Sequence, residues 1–242
     1  MIETFAALVF AHAVADFLLQ PGWMARGKRA PGPLLLHTAI VAGSSWLALG
    51  LPLHPAIFVL TLLHLATDLL KVWALGDRLG GFLADQALHL ATILGLALWL
   101  PGLYALGLWA NPPAPLPAGT LADLPEAMLW GAGAILATVA GGHVVGKLLQ
   151  PFLEAEPKLA RGSLKDAGRL IGLLERAMAF LLVAVGQTGG VGFLIAAKSL
   201  LRFTTAQEDR VLSEYVIIGT LASVGWALAA AYVTLGLAAL MP

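Results

Sequence analysis

The chain of 242 residues has no cysteine, few charges and no net charge. Without cysteine there is no disulfide, no thiolate-ligated metal and no thiol nucleophile. Charged residues make up 12% of the chain, about half of the roughly 25% usual in soluble domains. So few charges cannot cover a globular surface of this size, whereas a surface facing lipid needs none. No basic patch with interleaved aromatics occurs, which removes the electrostatic footprint of a nucleic-acid binder. The first residues, Met1-Ile2-Glu3-Thr4-Phe5, lack the basic region that opens a cleavable signal peptide, so the first hydrophobic segment is expected to be retained.

Apolar residues take the place of the missing charges, at 59% of the chain with a mean hydropathy of +0.86. A bilayer span needs about 20 mainly apolar residues. Such segments lie at 2–20, 34–51, 55–74, 82–109, 127–150, 169–187 and 213–240, and a shorter one at 190–203 follows Gly189-Gly190. The expected fold is therefore all-α, a polytopic transmembrane bundle of seven to eight spans with 190–203 short or re-entrant. The Pro-rich run 111–126 divides it into an N-terminal four-helix unit, 1–110, and a C-terminal unit, 127–242.

Lys and Arg fall in alternate loops. Arg26, Lys28 and Arg29 lie in the first, Lys71 and Arg78 in the third, Lys158, Arg161, Lys165 and Arg169 in the sixth region, and Arg202 and Arg210 before the last helix. By the positive-inside tendency these loops face the cytoplasm and the N-terminus lies outside. The loop charges favour eight spans.

Seven ionisable residues interrupt the first hundred: His12, Asp16, His37, His64, Asp68, Asp85 and His89. Six form His/Asp pairs at i, i+4 spacing, which puts both members on one helix face. With alternating helix directions all seven fall in the cytoplasmic half, within roughly 5–15 Å of the inner helix ends. Imidazole and carboxylate together suit Zn²⁺ first, then Mn²⁺ or Fe²⁺. Seven donors exceed one tetrahedral shell, so either some orient a ligand or two ions are bound. Asp16, Asp85 and Lys71 are the candidate catalytic groups, with Gln20 and Gln86 beside them to position a substrate. A lone intramembrane His is commonly just a hydrogen-bonding residue, and His54, between Pro52 and Pro55 at the outer boundary, reads that way. Three pairs together point to function, because buried charge is expensive in a membrane.

The segments His12-Ala-Val-Ala-Asp16-Phe17-Leu18-Leu19-Gln20, His64-Leu-Ala-Thr-Asp68-Leu-Leu-Lys71 and Asp85-Gln86-Ala-Leu-His89 resemble the signature of a bacterial integral-membrane family catalogued as domain of unknown function 3307. The likeness covers about the first hundred residues and includes His37, and it implies no activity. In arrangement the helices are also similar to those of membrane-bound metal-dependent hydrolases regulated with the bacterial damage response. That second likeness implies a reaction class.

A second charged set, Glu175, Arg176, Lys198, Arg202 and Glu214, falls near the cytoplasmic ends of later helices, with His143 and Lys147 one turn apart nearby. It reads either as a structural ion-pair cluster or as a substrate-binding clamp for phosphate or a lipid headgroup. The stretch Glu154 to Arg169 reads as a solvated connection. The expected function is a membrane metal-dependent hydrolase acting on a lipid or lipid-linked substrate from the cytoplasmic side. The competing expectation is a metal-ion or proton transporter using the same residues.

Overall fold

A computed structural model describes residues 1–51, 54–112, 119–160, 167–206 and 210–242, with the backbone alone for 160 and 201–206. Among the described residues every regular element is helical. The first helix, α1 (Ile2–Ala13), runs on through a π turn, Val14–Leu18. A short α2 (Gly22–Gly27) precedes α3 (Pro31–Leu49), which starts on a proline, where a missing N–H costs nothing. Next comes α4 (Pro55–Leu70), continued by a π turn, Lys71–Leu75, and then α5 (Leu79–Trp99). Later elements are α6 (Leu124–Ile135), a π turn Leu136–Ala140, α7 (Gly141–Ala155), α8 (Ala167–Ala184), α9 (Gly189–Ala206) and α10 (Arg210–Ala238).

Among the described residues five helices are long and apolar enough to cross a membrane: Pro31–Leu49, Pro55–Leu75, Leu79–Trp99, Leu124–Ala155 and Arg210–Ala238. That is fewer than the seven to eight expected. The expected span at 2–20 forms a helix only as far as Leu18. Those at 169–187 and 190–203 form α8 and α9, which carry Arg169, Glu175, Arg176 and Lys198. Trp23, Trp46, Trp73 and Trp99 are exposed, as residues that anchor helix ends at a membrane interface are.

The described chain forms two units, Met1–Ala132 with Gly236–Pro242, and Gly133–Leu235. The division falls inside α6 rather than in the Pro-rich run, of which residues 113–118 lie outside the described residues. Residues 161–166 of the expected charged connection lie outside them too.

In the first unit α1 packs on α3 and α5, and α4 packs on the same two, closing a four-helix ring. Its interior is lined by Ala6, Ala7, Leu8, Val41, Leu60 and Ile93. One end is tied by backbone-directed contacts. Thr4 Oγ1 donates to Pro101 O at 3.0 Å and accepts from Tyr104 N at 3.1 Å. Gly50 ends α3 with φ +62°, where any Cβ would stand 2.7 Å from Trp109, and that indole donates to Leu47 O at 2.7 Å. His54 caps α4 by accepting from Ala56 N, the structural role expected for it.

In the second unit Ala179, Val191, Val224 and Ala227 form an apolar core. The π turn of residues 136–140 offers carbonyls to side chains there. Arg176 Nε donates to Thr138 O and Trp226 Nε1 to Leu136 O.

Candidate metal centre

The opposite end of the first unit's ring holds the polar residues. His12 and Asp16 come late in α1 and its π turn, and His64 and Asp68 late in α4, while His37 comes early in α3 and Asp85 and His89 early in α5. Because successive helices reverse direction, late and early positions share one level. The π turn advances each residue by less than the ~100° of an α-helix, which brings Asp16 closer to directly beneath His12. Their side chains are 3.7 Å apart, Nδ1 to Oδ1.

Four donor atoms converge at the centre. His37 Nε2 lies 3.0 Å from His64 Nε2, 3.4 Å from Asp16 Oδ1 and 3.5 Å from Asp68 Oδ2. His64 Nε2 lies 3.6 Å from each of the same two oxygens. Four ligands around a metal at bonds of about 2.0–2.2 Å form a tetrahedron with edges of about 3.3–3.6 Å. The five distances between imidazole nitrogens and carboxylate oxygens or between the two imidazoles, 3.0–3.6 Å, are on or close to such an edge, and His37, His64 and Asp68 form a group able to share one ion, with Asp16 beside both imidazoles. Asp16 Oδ1 and Asp68 Oδ2 have no hydrogen-bond partner, although both are buried. Buried carboxylate oxygens are rarely left unpaired in a membrane or a core. A cation among these four atoms would satisfy them, so the residues fit a metal ion.

Two lysines neutralise the outer sides of the carboxylates. Lys28 Nζ sits 2.6 Å from Asp68 Oδ1, both side chains being buried, and Lys71 Nζ 2.9 Å from Asp85 Oδ2. A second donor group, Asp68, Asp85 and His89, has ligand atoms within 4.8 Å of one another, and a third joins His12, Asp16 and His64. Asp85 Oδ1 lies 3.4 Å from His89 Nε2, and neither atom has a hydrogen-bond partner. Gln86 links the groups, donating to Asp85 Oδ2 at 3.1 Å and meeting His12 Nε2 at 3.2 Å. Gln20 is less buried, and its Nε2 finds no partner. The imidazoles of His64 and His89 stack at 4.0 Å. Deeper in the bundle a cavity of about 10 Å³ touches His12, His64 and His89 and is otherwise walled mainly by Leu8, Val41, Leu60 and Ile93.

All seven residues singled out from the sequence thus meet at one place, with Lys71 and Gln86 beside them. Lys28 is the residue that spacing did not reveal. It lies in a loop and belongs to no i, i+4 pair, and the one available signal was its place nine residues before His37 at the same helix end.

The C-terminal set does not assemble as one cluster. Lys198 Nζ pairs with Glu175 at 2.7 Å. Glu214 pairs instead with Arg210 on an exposed face of α10. Arg176 turns away from Glu175 into the second unit, donating to Thr138 O at 2.9 Å and to Ser223 Oγ at 3.2 Å. Arg202 is on α9, but its side chain lies outside the described residues. The sequence expected opposite charges to seek one another. The π-turn carbonyl of Thr138 and the Ser223 hydroxyl take the Arg176 guanidinium, and the i, i+4 position beside Glu214 goes to Arg210.

No curated protein and no solved structure matches the chain. A family model described as "Protein of unknown function (DUF3307)" does match over residues 4–105, so the chain is similar to that family across the stretch that builds the four-helix ring and carries every donor of the centre.

Proposed function

We propose that this is an integral-membrane metal-dependent hydrolase that takes a lipid or lipid-linked substrate from the cytoplasmic side. The observation that carries the reading is the cluster of Asp16, His37, His64 and Asp68, in which each of the two imidazole nitrogens lies 3.4–3.6 Å from a buried oxygen of both carboxylates. Two neutral imidazoles with two carboxylates favour Zn²⁺ over Mg²⁺ or Ca²⁺, which prefer larger all-oxygen shells. Mn²⁺ and Fe²⁺ accept the same donors. When bound, such an ion supplies Lewis acidity and lets water ionise near neutral pH.

The remaining groups have roles of their own. Lys71 is the more exposed of the two lysines, with 22% of its side chain accessible, and stands at the rim where a substrate's polar end would arrive. Gln86 fixes Asp85 and His12, while Asp85 keeps one carboxylate oxygen free for a proton or a cation. Arg26, Lys28, Arg29, Lys71 and Arg78 all lie at this end of the ring, which supports a cytoplasmic opening. An active site at that depth meets molecules whose tails lie in the bilayer.

A transport reading needs polar groups through the bundle. Beyond the donors the interior holds Leu8, Val41, Leu60 and Ile93 with only the hydroxyls of Ser45 and Thr92 beside them and no ionisable group, which favours a one-sided site. The test is elemental analysis of purified wild type, His64→Ala and Asp68→Asn, followed by incubation of each with membrane lipid extracts and mass spectrometry of the products. Bound metal and hydrolysis in wild type, both lost in the variants, are expected. Metal-free wild type that cannot be loaded with Zn²⁺ or Mn²⁺ overturns the reading. Metal uptake into proteoliposomes, lost in the same variants, replaces it with transport.

A further inference from the structure

We propose that the ring holds a second divalent cation, in the group formed by Asp68, Asp85 and His89, and that the pair of ions accepts a phosphoryl-type dianion from the Lys71 side. This rests on the metal-centre reading above. It assigns the binding position that the quartet leaves unfilled.

The donors are built for it. Asp85 Oδ1 and His89 Nε2 are 3.4 Å apart, again a tetrahedral edge, and both are buried without a hydrogen-bond partner. Asp68 supplies the third ligand within 4.8 Å and also serves the quartet, so one carboxylate joins both positions. Bridging carboxylates are how two-metal hydrolytic sites hold ions about 3.5–4 Å apart. Three protein donors at the second position leave a place open, as in catalytic sites. That open position adjoins Lys71 and Gln86, the two groups that hold Asp85 Oδ2.

Charge gives the ligand class. Asp16, Asp68 and Asp85 contribute −3 and Lys28 and Lys71 contribute +2, leaving −1 with neutral imidazoles. Two divalent ions raise this to +3, and a hydroxide lowers it to +2. A buried excess of that size needs a matching anion, and a phosphate monoester or pyrophosphate end supplies two negative charges. A neutral ester or amide would leave the excess uncompensated.

The test uses full-length protein in detergent, stripped by chelation and reloaded with Zn²⁺ or Mn²⁺, with inorganic phosphate as the anion probe. Wild type should hold two ions per chain, and Asp85→Asn and His89→Ala one. The electron paramagnetic resonance of Mn²⁺-loaded wild type should be that of exchange-coupled ions. Phosphate should bind loaded wild type and bind Asp85→Asn at least about tenfold more weakly, the loss of a strong charged contact. One ion per chain in wild type with an isolated-ion spectrum overturns the second site and leaves the metal centre standing, whereas no bound metal overturns both. Two ions in both variants overturns the placement. Equal phosphate affinity in wild type and Asp85→Asn overturns the anion assignment. Should a variant elute as aggregate, the wild-type spectrum and stoichiometry decide the question alone.

Discussion

His37 Nε2 and His64 Nε2 face each other at 3.0 Å from helices α3 and α4, with Asp16 Oδ1 and Asp68 Oδ2 within 3.6 Å of both. Two like nitrogens at that distance share one proton between two lone pairs, and the carboxylates beside them go unserved. A cation between them resolves all four at once. The site is therefore expected to be strained when empty and relaxed when filled.

Metal binding should accordingly stabilise the fold by mass action, because the unfolded chain does not present the four donors together. At a free metal concentration of 100 times Kd the gain is about 2.7 kcal/mol. Thermal unfolding in detergent, with Zn²⁺ and with chelator, measures it. His37→Ala should shrink the difference between the two conditions, and an equal metal-induced rise in Tm for wild type and variant would remove His37 from the ligand set.

Lys28→Met separates the roles of lysine and metal. Lys28 and Asp68 form a buried pair at 2.6 Å, and removing one member of such a pair costs about 3–5 kcal/mol by leaving the other charge alone. Without metal the variant should lose stability on that scale. With metal bound, the cation serves Asp68 in place of the lysine, so the loss should shrink and the metal-dependent rise in Tm should exceed that of wild type. Equal losses with and without metal would mean that no cation reaches Asp68.

The sequence made the ring and its donors legible because i, i+4 pairs in apolar helices project onto one face, and alternating helix direction puts them at one level. His12/Asp16, His64/Asp68 and Asp85/His89 all followed that rule. Lys28 did not, since a loop residue's reach is set by the path of the chain around it. Arg176 was misjudged for a different reason. It was grouped with the other charges of the later helices, but the carbonyl of Thr138, in a π turn that composition does not announce, and the hydroxyl of Ser223 accept from it. Which helices cross completely also depends on how α8 and α9 handle their charges, and the sequence does not encode that locally.

Tyr104 offers a test in pH. It lies beyond α5, is 3% exposed, and its hydroxyl has no hydrogen-bond partner. Burial, with Glu3 adding repulsion, pushes its pKa up to about 12 from 10.0. The folded form thus keeps the proton longer than the unfolded chain does. Its contribution is fully present below pH 10 and lost as pH rises from 10 through 12. Tyr104→Phe should be neutral or slightly stabilising at pH 7, since it deletes a buried unpaired hydroxyl, and should flatten the alkaline limb of Tm against pH. An alkaline limb unchanged by the substitution would show that another group controls it.

Arg176 tests what the second unit is for. Its side chain is 4% exposed and threads between glycines: a Cβ on Gly141 would stand 2.9 Å from Arg176 Cδ and 2.6 Å from Trp226 Cδ1, and one on Gly142 3.0 Å from Arg176 Nη2. With Nε on Thr138 O and Nη1 on Ser223 Oγ, the guanidinium joins α8 to the π turn and to α10. Lysine keeps the charge but cannot reproduce the fork. Arg176→Lys should cost about 2–3 kcal/mol through the lost charged hydrogen bonds, and Gly141→Ala should destabilise by crowding the same side chain. Protease susceptibility and thermal unfolding of the full chain would register both. A normal Tm for Arg176→Lys together with lost binding of inorganic phosphate would reverse this assignment and make the residue an anion clamp.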